Sequence, residues 1–227
     1  MHVALIMAHP DDADIYCGGS VAAWRLMGAE VTILIATDGS KGGNFNPEDL
    51  AKLRSEEAIA AARVLDANLI QLNFPDGELC QSEEFSVKLT TEVLRLKPNL
   101  LVAHAPNDYH VDHRAVSSAS LIAASFRAPV LWVDPMMGND FLPNYYVDIS
   151  QFQDLKEQAI LCHKSQGPGH FVEMSRVQGR FRSAQCGRLN GFAEAFRHDP
   201  IHPFADIRSL IPPPPPQLKP IVVNSST

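Results

Sequence analysis

The chain has 227 residues, of which 45% are hydrophobic and 20% charged, which is enough for one α/β domain with a full core. Its 26 acidic and 19 basic residues give a formal net charge of −7, which argues against a nucleic-acid partner, because contacts to phosphates need a basic face. No apolar run approaches the roughly 18 residues that a membrane-spanning helix needs, so no membrane partner is expected.

The predicted elements alternate between short apolar strands and amphipathic helices. Residues 3–8 form a continuous apolar run typical of a strand buried on both faces, and a helix over 20–27 follows, ending at Gly28. The pattern then predicts strands at 31–36, 69–72, 100–104 and 130–133, and helices at 48–65, 84–96, 114–126 and 151–163. This order predicts a Rossmann-like α/β fold with a doubly wound, mostly parallel sheet flanked by helices. Such sheets bind ligands beyond the carboxyl ends of their strands.

Five consecutive prolines at 212–216 favour an extended polyproline II segment, and residues 217–227 have the composition of a tail. We therefore predict one domain over residues 1–205 and a proline-rich tail over 206–227, which could reach a neighbouring subunit. The cysteines are scattered without a CxxC pair, and the first residues lead straight into a strand rather than into a signal peptide. A reducing, cytoplasmic location is expected.

An imidazole and three carboxylates follow the first predicted strand within six residues: His9, Asp11, Asp12 and Asp14. Neighbouring buried carboxylates repel each other, and either proton uptake or a bound cation resolves the conflict. We favour a metal, with His9 and Asp12 as ligands, because side chains three residues apart after a strand can converge on one ion. Pro10 between them narrows the conformations of the loop.

A second cluster of histidines and aspartates, residues 108–113, follows the predicted strand at 100–104. A catalytic zinc needs three protein ligands and one open position, so a third ligand must come from outside the first cluster. Both clusters lie at carboxyl ends of predicted strands, where a shared site is expected. Taken singly, each residue has a structural alternative: a strand-end histidine is commonly hydrogen-bonded, and Asp11 is also compatible with a helix N-cap or a turn.

The motifs HPDDAD (9–14) and HVDH (110–113), with GG (18–19) and GFAEAF (191–196), resemble the PIG-L/LmbE-like zinc-dependent N-deacetylases over about residues 3–200. In particular they resemble the bacterial branch that acts on N-acetylglucosaminyl-malate, a bacillithiol-type conjugate. The resemblance implies a zinc-dependent hydrolase that removes the acetyl group from an N-acetylglucosamine-type sugar or conjugate. It also implies a small amino-sugar substrate, Zn²⁺ or another divalent ion such as Fe²⁺, and a homo-oligomer, hexameric in close relatives.

The resemblance also implies roles for single residues. Three are metal ligands: His9, Asp12 and His113. Asp11 is the general base that takes a proton from the attacking water and passes it to the leaving nitrogen. His110, when protonated, stabilises the oxyanion, and Asp112 is the expected partner that orients the His110 ring. Arg54 is similar to an arginine that faces the sugar or its aglycone, although an arginine on an amphipathic helix is more often solvated or ion-paired.

Two alternatives to this function stay open. An esterase, or a deacetylase of a specialised natural-product pathway, would use the same residues and differ only in its substrate. A non-catalytic metal-stabilised or nucleotide-binding module would instead have a closed four-ligand site without an exchangeable water. The glycine-rich loop at 38–43 lacks the GxxxxGK[ST] pattern of a phosphate-binding loop, so we expect it to shape a substrate pocket instead.

Overall fold

Residues 1–216, the part of the chain that the computed structural model describes, form one seven-stranded sheet with helices on both faces. The strands are β1 (His2–Met7), β2 (Glu30–Thr37), β3 (Asn68–Phe74), β4 (Leu100–His104), β5 (Val130–Val133), β6 (Tyr145–Asp148) and β7 (Ala193–Arg197). The helices are α1 (Asp12–Leu26), α2 (Pro47–Val64), α3 (Glu83–Leu96), α4 (Val111–Ala124), α5 (Gln153–Ile160) and α6 (Gly169–Gln185). Within this range, no helix combines the length and apolar character needed to cross a bilayer.

The strand order is β3-β2-β1-β4-β5-β7-β6, and the first five strands in that order are parallel. Strand β7 runs antiparallel to both of its neighbours. The predicted doubly wound, mostly parallel α/β sheet is therefore confirmed. The winding changes direction between β1 and β4, so the loops that follow these two strands diverge around a crevice at the carboxyl edge of the sheet. Both predicted clusters lie on those two loops and on the first turns of the helices that follow them, α1 and α4.

Strand β1 is buried on both faces, which explains its uninterrupted apolar sequence. Val3, Leu5 and Met7 pack in one core with apolar residues of α1 and α2, whereas Ala4 and Ile6 pack in a second core with those of α3 and α4. Because successive side chains of a strand point to opposite faces, one short strand joins the two cores. This central position holds the loop after β1 rigidly.

Helix α1 begins at Asp12, well before the predicted start, and is interrupted at Cys17, whose φ of −148° and ψ of 22° are not helical. The interruption frees the amides of Gly19 and Ser20, which donate to the two carboxylate oxygens of Glu194 at 3.0 and 2.7 Å. Lys156 also donates to Glu194, at 2.7 Å, and the pair is buried. The GFAEAF motif therefore anchors the helix that carries the first cluster.

Any side chain at Gly19 is predicted to clash with a neighbouring residue at this interruption. A Cβ at Gly19 would lie 2.7 Å from the Cβ of Ile149, whereas a Cβ at Gly18 would lie 3.3 Å from Cγ of the flexible Lys156 side chain. Gly19→Ala is expected to lower the free energy of unfolding by about 1–3 kcal/mol, as overpacking does, and Gly18→Ala by clearly less. Urea unfolding of both variants measures this difference, and equal losses would contradict it.

The sequence pattern does not predict β6, β7 or α6. Neither strand is a continuous apolar run, since β6 ends in Asp148 and β7 contains Glu194. The buried face of α6 includes Ser175, Gly179 and Arg182, so an apolar helical period is missing. Beyond these elements, Ile207 and Ile211 pack into the core, and Pro213 accepts a hydrogen bond from the edge of β6 at 3.0 Å. Residues 217–227 lie outside the described residues, and the predicted division at 205 stays a prediction.

Candidate active site

The turn after β1 directs two side chains of the first cluster to one point. The amide of His9 donates to Oδ2 of Asp12 at 2.7 Å, and the amide of Asp12 donates back to the carbonyl of His9 at 3.3 Å. Pro10 lies inside this turn and fixes its first φ angle. The turn therefore holds an imidazole and a carboxylate next to each other at the start of α1.

His113, on the first turn of α4, completes a triangle with these two residues. Nδ1 of His9 lies 3.3 Å from Oδ2 of Asp12 and 3.3 Å from Nε2 of His113. Oδ2 of Asp12 and Nε2 of His113 are 3.5 Å apart. A tetrahedral ion with bonds of about 2.0–2.1 Å needs ligand atoms roughly 3.3–3.4 Å apart. The three atoms therefore have the spacing that a tetrahedral metal requires.

Carboxylates lie behind both imidazoles of the triangle. Nε2 of His9 lies 3.3 Å from Oδ1 of Asp76 and 3.5 Å from Oδ2 of Asp112. Nδ1 of His113 lies 3.1 Å from Oδ2 of Asp108, as an ion-pair contact without hydrogen-bond alignment. Carboxylates behind metal-binding imidazoles fix which ring nitrogen faces the metal. This arrangement would leave Nδ1 of His9 and Nε2 of His113 to face an ion held by the triangle.

The charges of the cluster favour a cation. Burial opposes the charged form of His113, but Asp12 and Asp108 outweigh it and raise the pKa of His113 to about 9. Burial likewise opposes the charged form of Asp12, yet the surrounding imidazoles, above all His113, hold the pKa of Asp12 well below its usual value. A metal that binds here replaces a proton on an imidazole, as is usual for histidine ligands.

His104, the last residue of β4, belongs to the same cluster, although the sequence analysis does not name it. Its Nε2 lies 3.1 Å from Oδ2 of Asp12, and its ring stacks on that of His113 with 3.7 Å between centroids. His104 is fully buried, and its Nε2 accepts a hydrogen bond from the amide of Ala8 at 3.1 Å. Burial, followed by the charge of His113, lowers the pKa of His104 to about 4. His104 therefore supports the cluster as a neutral ring with an occupied nitrogen.

Asp11 lies at the N-cap position of α1 but makes no capping hydrogen bond. Its Oδ1 instead accepts from Nη2 of Arg54 at 2.9 Å, and Nη1 of Arg54 donates to the carbonyl of Gly39 at 3.0 Å. Arg54 is only 3% exposed. Asp11 and Arg54 are therefore paired with each other at the cavity wall. The predicted contact between Arg54 and the substrate stays a prediction.

His110 caps α4 through its ring. Its Nδ1 accepts from the amide of Asp112 at 3.2 Å, which places the ring proton on Nε2. Burial, followed by the charges of His9 and His113, lowers the pKa of His110. Both observations describe a neutral ring that donates through Nε2, whereas the sequence analysis expects a protonated one.

The predicted orienting contact between the Asp112 carboxylate and the His110 ring is wrong, because the backbone of Asp112 makes that contact. The carboxylate itself is turned away, since it accepts from the amides of Gly77 at 2.8 Å and Leu79 at 3.3 Å and lies close to His9. The Asp112 carboxylate therefore contacts an imidazole of the triangle and binds the loop after β3.

These residues open into one cavity of about 370 Å³, within the size range of small-molecule sites. Six predicted site residues line it: His9, Asp11, Asp12, Arg54, His110 and His113. Asp112 lies behind that surface. Six apolar or aromatic residues that the sequence analysis does not name complete the walls: Ile15, Tyr16, Tyr109, Val111, Met136 and Phe171. They come from four separate segments, and only Val111 lies within a recognised motif, so the folded chain is needed to identify the set.

The family model for PIG-L, described as GlcNAc-PI de-N-acetylase, matches residues 4–124. The chain is 30% identical over 233 residues to diacetylchitobiose deacetylase of Thermococcus kodakarensis, covering 90% of this chain and 87% of that protein. It is 29% identical over 195 residues to a protein of Bacillus subtilis named as a probable N-acetyl-alpha-D-glucosaminyl L-malate deacetylase 2, covering 76% and 86%. The solved structure of N,N'-diacetylchitobiose deacetylase from Pyrococcus horikoshii superimposes with a TM-score of 0.77 at 27% identity, covering 92% of this chain and 88% of that one.

Proposed function

We propose, since this chain belongs to the PIG-L family of de-N-acetylases, that it is a metal-dependent hydrolase that removes the N-acetyl group from an N-acetylglucosamine-type sugar or conjugate. One observation carries the proposal: the triangle of His9, Asp12 and His113 has tetrahedral spacing and faces an open cavity. Two imidazoles, one carboxylate and an open position suit catalytic Zn²⁺. The same donors also suit Fe²⁺, which is the alternative metal.

Hydrolysis of an acetamide requires an activated water, a polarised carbonyl and a proton for the leaving nitrogen. When bound, the metal would supply Lewis acidity for the carbonyl and lower the pKa of a water molecule. Asp11 lines the cavity beside the triangle and serves as the base that takes the proton from the attacking water. Arg54 holds one Asp11 oxygen and leaves the other to accept that proton. Asp11 then delivers the proton to the leaving nitrogen.

His110 serves as the donor to the oxyanion. The Asp112 amide occupies its Nδ1, so Nε2–H is the group that it can offer to the cavity. A neutral donor with a fixed proton stabilises developing negative charge without any rearrangement during the reaction. In this proposal Asp11 transfers the proton, and His110 stabilises the negative charge of the oxyanion.

His110→Ala is expected to lower kcat by on the order of 10²–10³ while metal content stays near that of the unchanged protein. The reason is that the variant removes the oxyanion donor and leaves the three proposed ligands in place. Metal analysis and initial rates on the same preparation measure both quantities. Loss of the metal in this variant would show that the ligands of the HVDH motif are wrongly assigned.

The two alternative functions make different demands on the cavity. A structural metal site would be closed, whereas the cavity gives the triangle an open side. An esterase would cleave an acetyl ester with the same residues, so only substrates separate it from an amidase. We propose to compare amine release from N-acetylglucosamine conjugates with acetate release from an O-acetylated sugar that lacks the amide. Amine release supports the deacetylase, and acetate release from the ester alone would refute it.

Two further expectations stay proposals. We propose a cytoplasmic location, in keeping with four cysteines that form no disulfide: Cys17, Cys80, Cys162 and Cys186. We also propose a homo-oligomer, for which the exposed apolar side chains of Leu121, Ile122 and Phe126 offer contact area. Light scattering of the purified protein gives the oligomeric state directly.

A further inference from the structure

The cavity continues outward from the triangle as a mouth whose lining residues are partly exposed. Tyr109, on the loop between β4 and α4, is 58% exposed, and Val111, the first residue of α4, is 39% exposed. Met136 and Phe171, which are half-buried, join them from the loop after β5 and from α6. The mouth therefore offers aromatic and aliphatic surface to whatever extends from the reacting sugar.

The lysine and arginine side chains at this mouth already have partners. Of the described residues that line the cavity, only Lys41 and Arg54 carry a cationic lysine or arginine side chain. Nζ of Lys41 donates to Oε1 of Glu78 at 3.0 Å, and buried Arg54 is bound to Asp11 and to a carbonyl. Asp76 adds a carboxylate to the same wall. An anionic group here would meet paired cations and a like charge.

We propose that the group attached to the reacting N-acetylglucosamine is uncharged and ring-shaped, such as a second pyranose, and that Tyr109 supports it. This inference rests on the proposed deacetylase function. A pyranose presents an apolar C–H face, which packs well on an aromatic side chain, and hydroxyl groups that need no counter-charge. A dicarboxylic acid would lose its hydration without gaining a free cation, which is costly.

The first test compares three probes that share the reacting sugar: methyl N-acetylglucosaminide, N,N'-diacetylchitobiose and N-acetylglucosaminyl malate. We expect kcat/KM for diacetylchitobiose to exceed that for the malate conjugate by at least about tenfold, as a charged group without a partner implies. Equal values, or a preference for the malate conjugate, would overturn the inference and leave the deacetylase function standing. No amine release from any probe would overturn both.

The second test uses Tyr109. Tyr109→Ala is expected to raise KM for diacetylchitobiose by about two- to tenfold, the range of a lost aromatic contact, and to leave KM for the methyl glycoside nearly unchanged. Tyr109→Phe should keep the preference, because the ring remains. Phe181→Ala is the matched control, since Phe181 is an aromatic residue with a similar exposure of 54% and lies outside the cavity lining. Equal effects of Tyr109→Ala on both probes would contradict the role of Tyr109.

The third test frees the lysine at the mouth. Glu78→Gln removes the partner of Lys41, and both side chains are more than half exposed, so the fold should tolerate the change. We expect kcat/KM for the malate conjugate to rise by about two- to fivefold, the range of one exposed ion pair, with little change for diacetylchitobiose. An unchanged value for the malate conjugate would show that pairing of Lys41 does not exclude anions.

Discussion

Replacing His113 with alanine is expected to lower metal affinity by more than about 100-fold and to abolish hydrolysis with it. Loss of a group that merely orients a ligand commonly costs 10- to 100-fold in affinity, and loss of a ligand costs more. The variant leaves Nδ1 of His9 and Oδ2 of Asp12 as two vertices of the triangle, which cannot hold a tetrahedral ion tightly. Dialysis against a graded series of chelators, followed by metal analysis, measures the change.

His104 provides the matched control, because it lies in the same cluster and is also a histidine. His104→Gln keeps an acceptor for the amide of Ala8 and, on our assignment, removes no ligand, so metal content should be retained. His9→Gln should lose the metal as His113→Ala does. The reverse pattern, with loss in His104→Gln and retention in His9→Gln, would show that the ion is bound deeper, by His104, Asp12 and His113.

Asp11→Asn is expected to lower kcat by about 10²–10⁴, the usual contribution of a general base, with metal content unchanged. Asparagine keeps an oxygen that accepts from Arg54, so the wall of the cavity should hold its shape. It cannot take a proton from water, so the loss falls on kcat rather than on binding. Initial rates of amine release across a range of substrate concentrations separate kcat from KM.

Asp14→Asn is the control from the same segment. Asp14 is buried, contacts Nε2 of His163 at 2.7 Å and does not line the cavity. Its replacement should lower stability without a comparable loss of kcat. If Asp14→Asn reduced kcat as strongly as Asp11→Asn, the assignment of the base to Asp11 would be refuted.

The parallel half of the sheet is predictable from the sequence because a strand that is buried on both faces has a nearly continuous apolar sequence. Strand β5 is wholly apolar, β1 and β4 are apolar apart from one terminal histidine each, and the helices between them carry apolar stripes. The two motifs follow β1 and β4, so the topology rule for parallel sheets brings them together. Five of the six predicted site residues that line the cavity belong to these two motifs, and Arg54 reaches it from α2.

The other half depends on tertiary contacts that leave no local pattern. Helix α6 buries small and polar side chains, and the interruption in the middle of α1 is stabilised by Glu194 from β7, far along the chain. Asp76 and Tyr109 reach the cavity from loops whose course the sequence does not dictate.

The error at Asp112 has a local physical cause. The family resemblance implies a contact between the Asp112 carboxylate and the His110 ring. However, His110 occupies the N-cap of α4, and its ring accepts a hydrogen bond from the free amide of Asp112. The carboxylate then binds amides of the loop after β3. Helix capping thus determines which groups the His110 ring and the Asp112 carboxylate bind. A comparison of motifs does not show such contacts.

The most direct test of the central claim is amine release from N-acetylglucosamine conjugates by one metal-loaded preparation, before chelation, after chelation and after Zn²⁺ is restored. We expect close to one bound ion per chain, loss of activity with the ion and its return with Zn²⁺. One bound ion per chain with no amine released from any conjugate, or release that survives complete removal of the metal, would contradict a metal-dependent deacetylase.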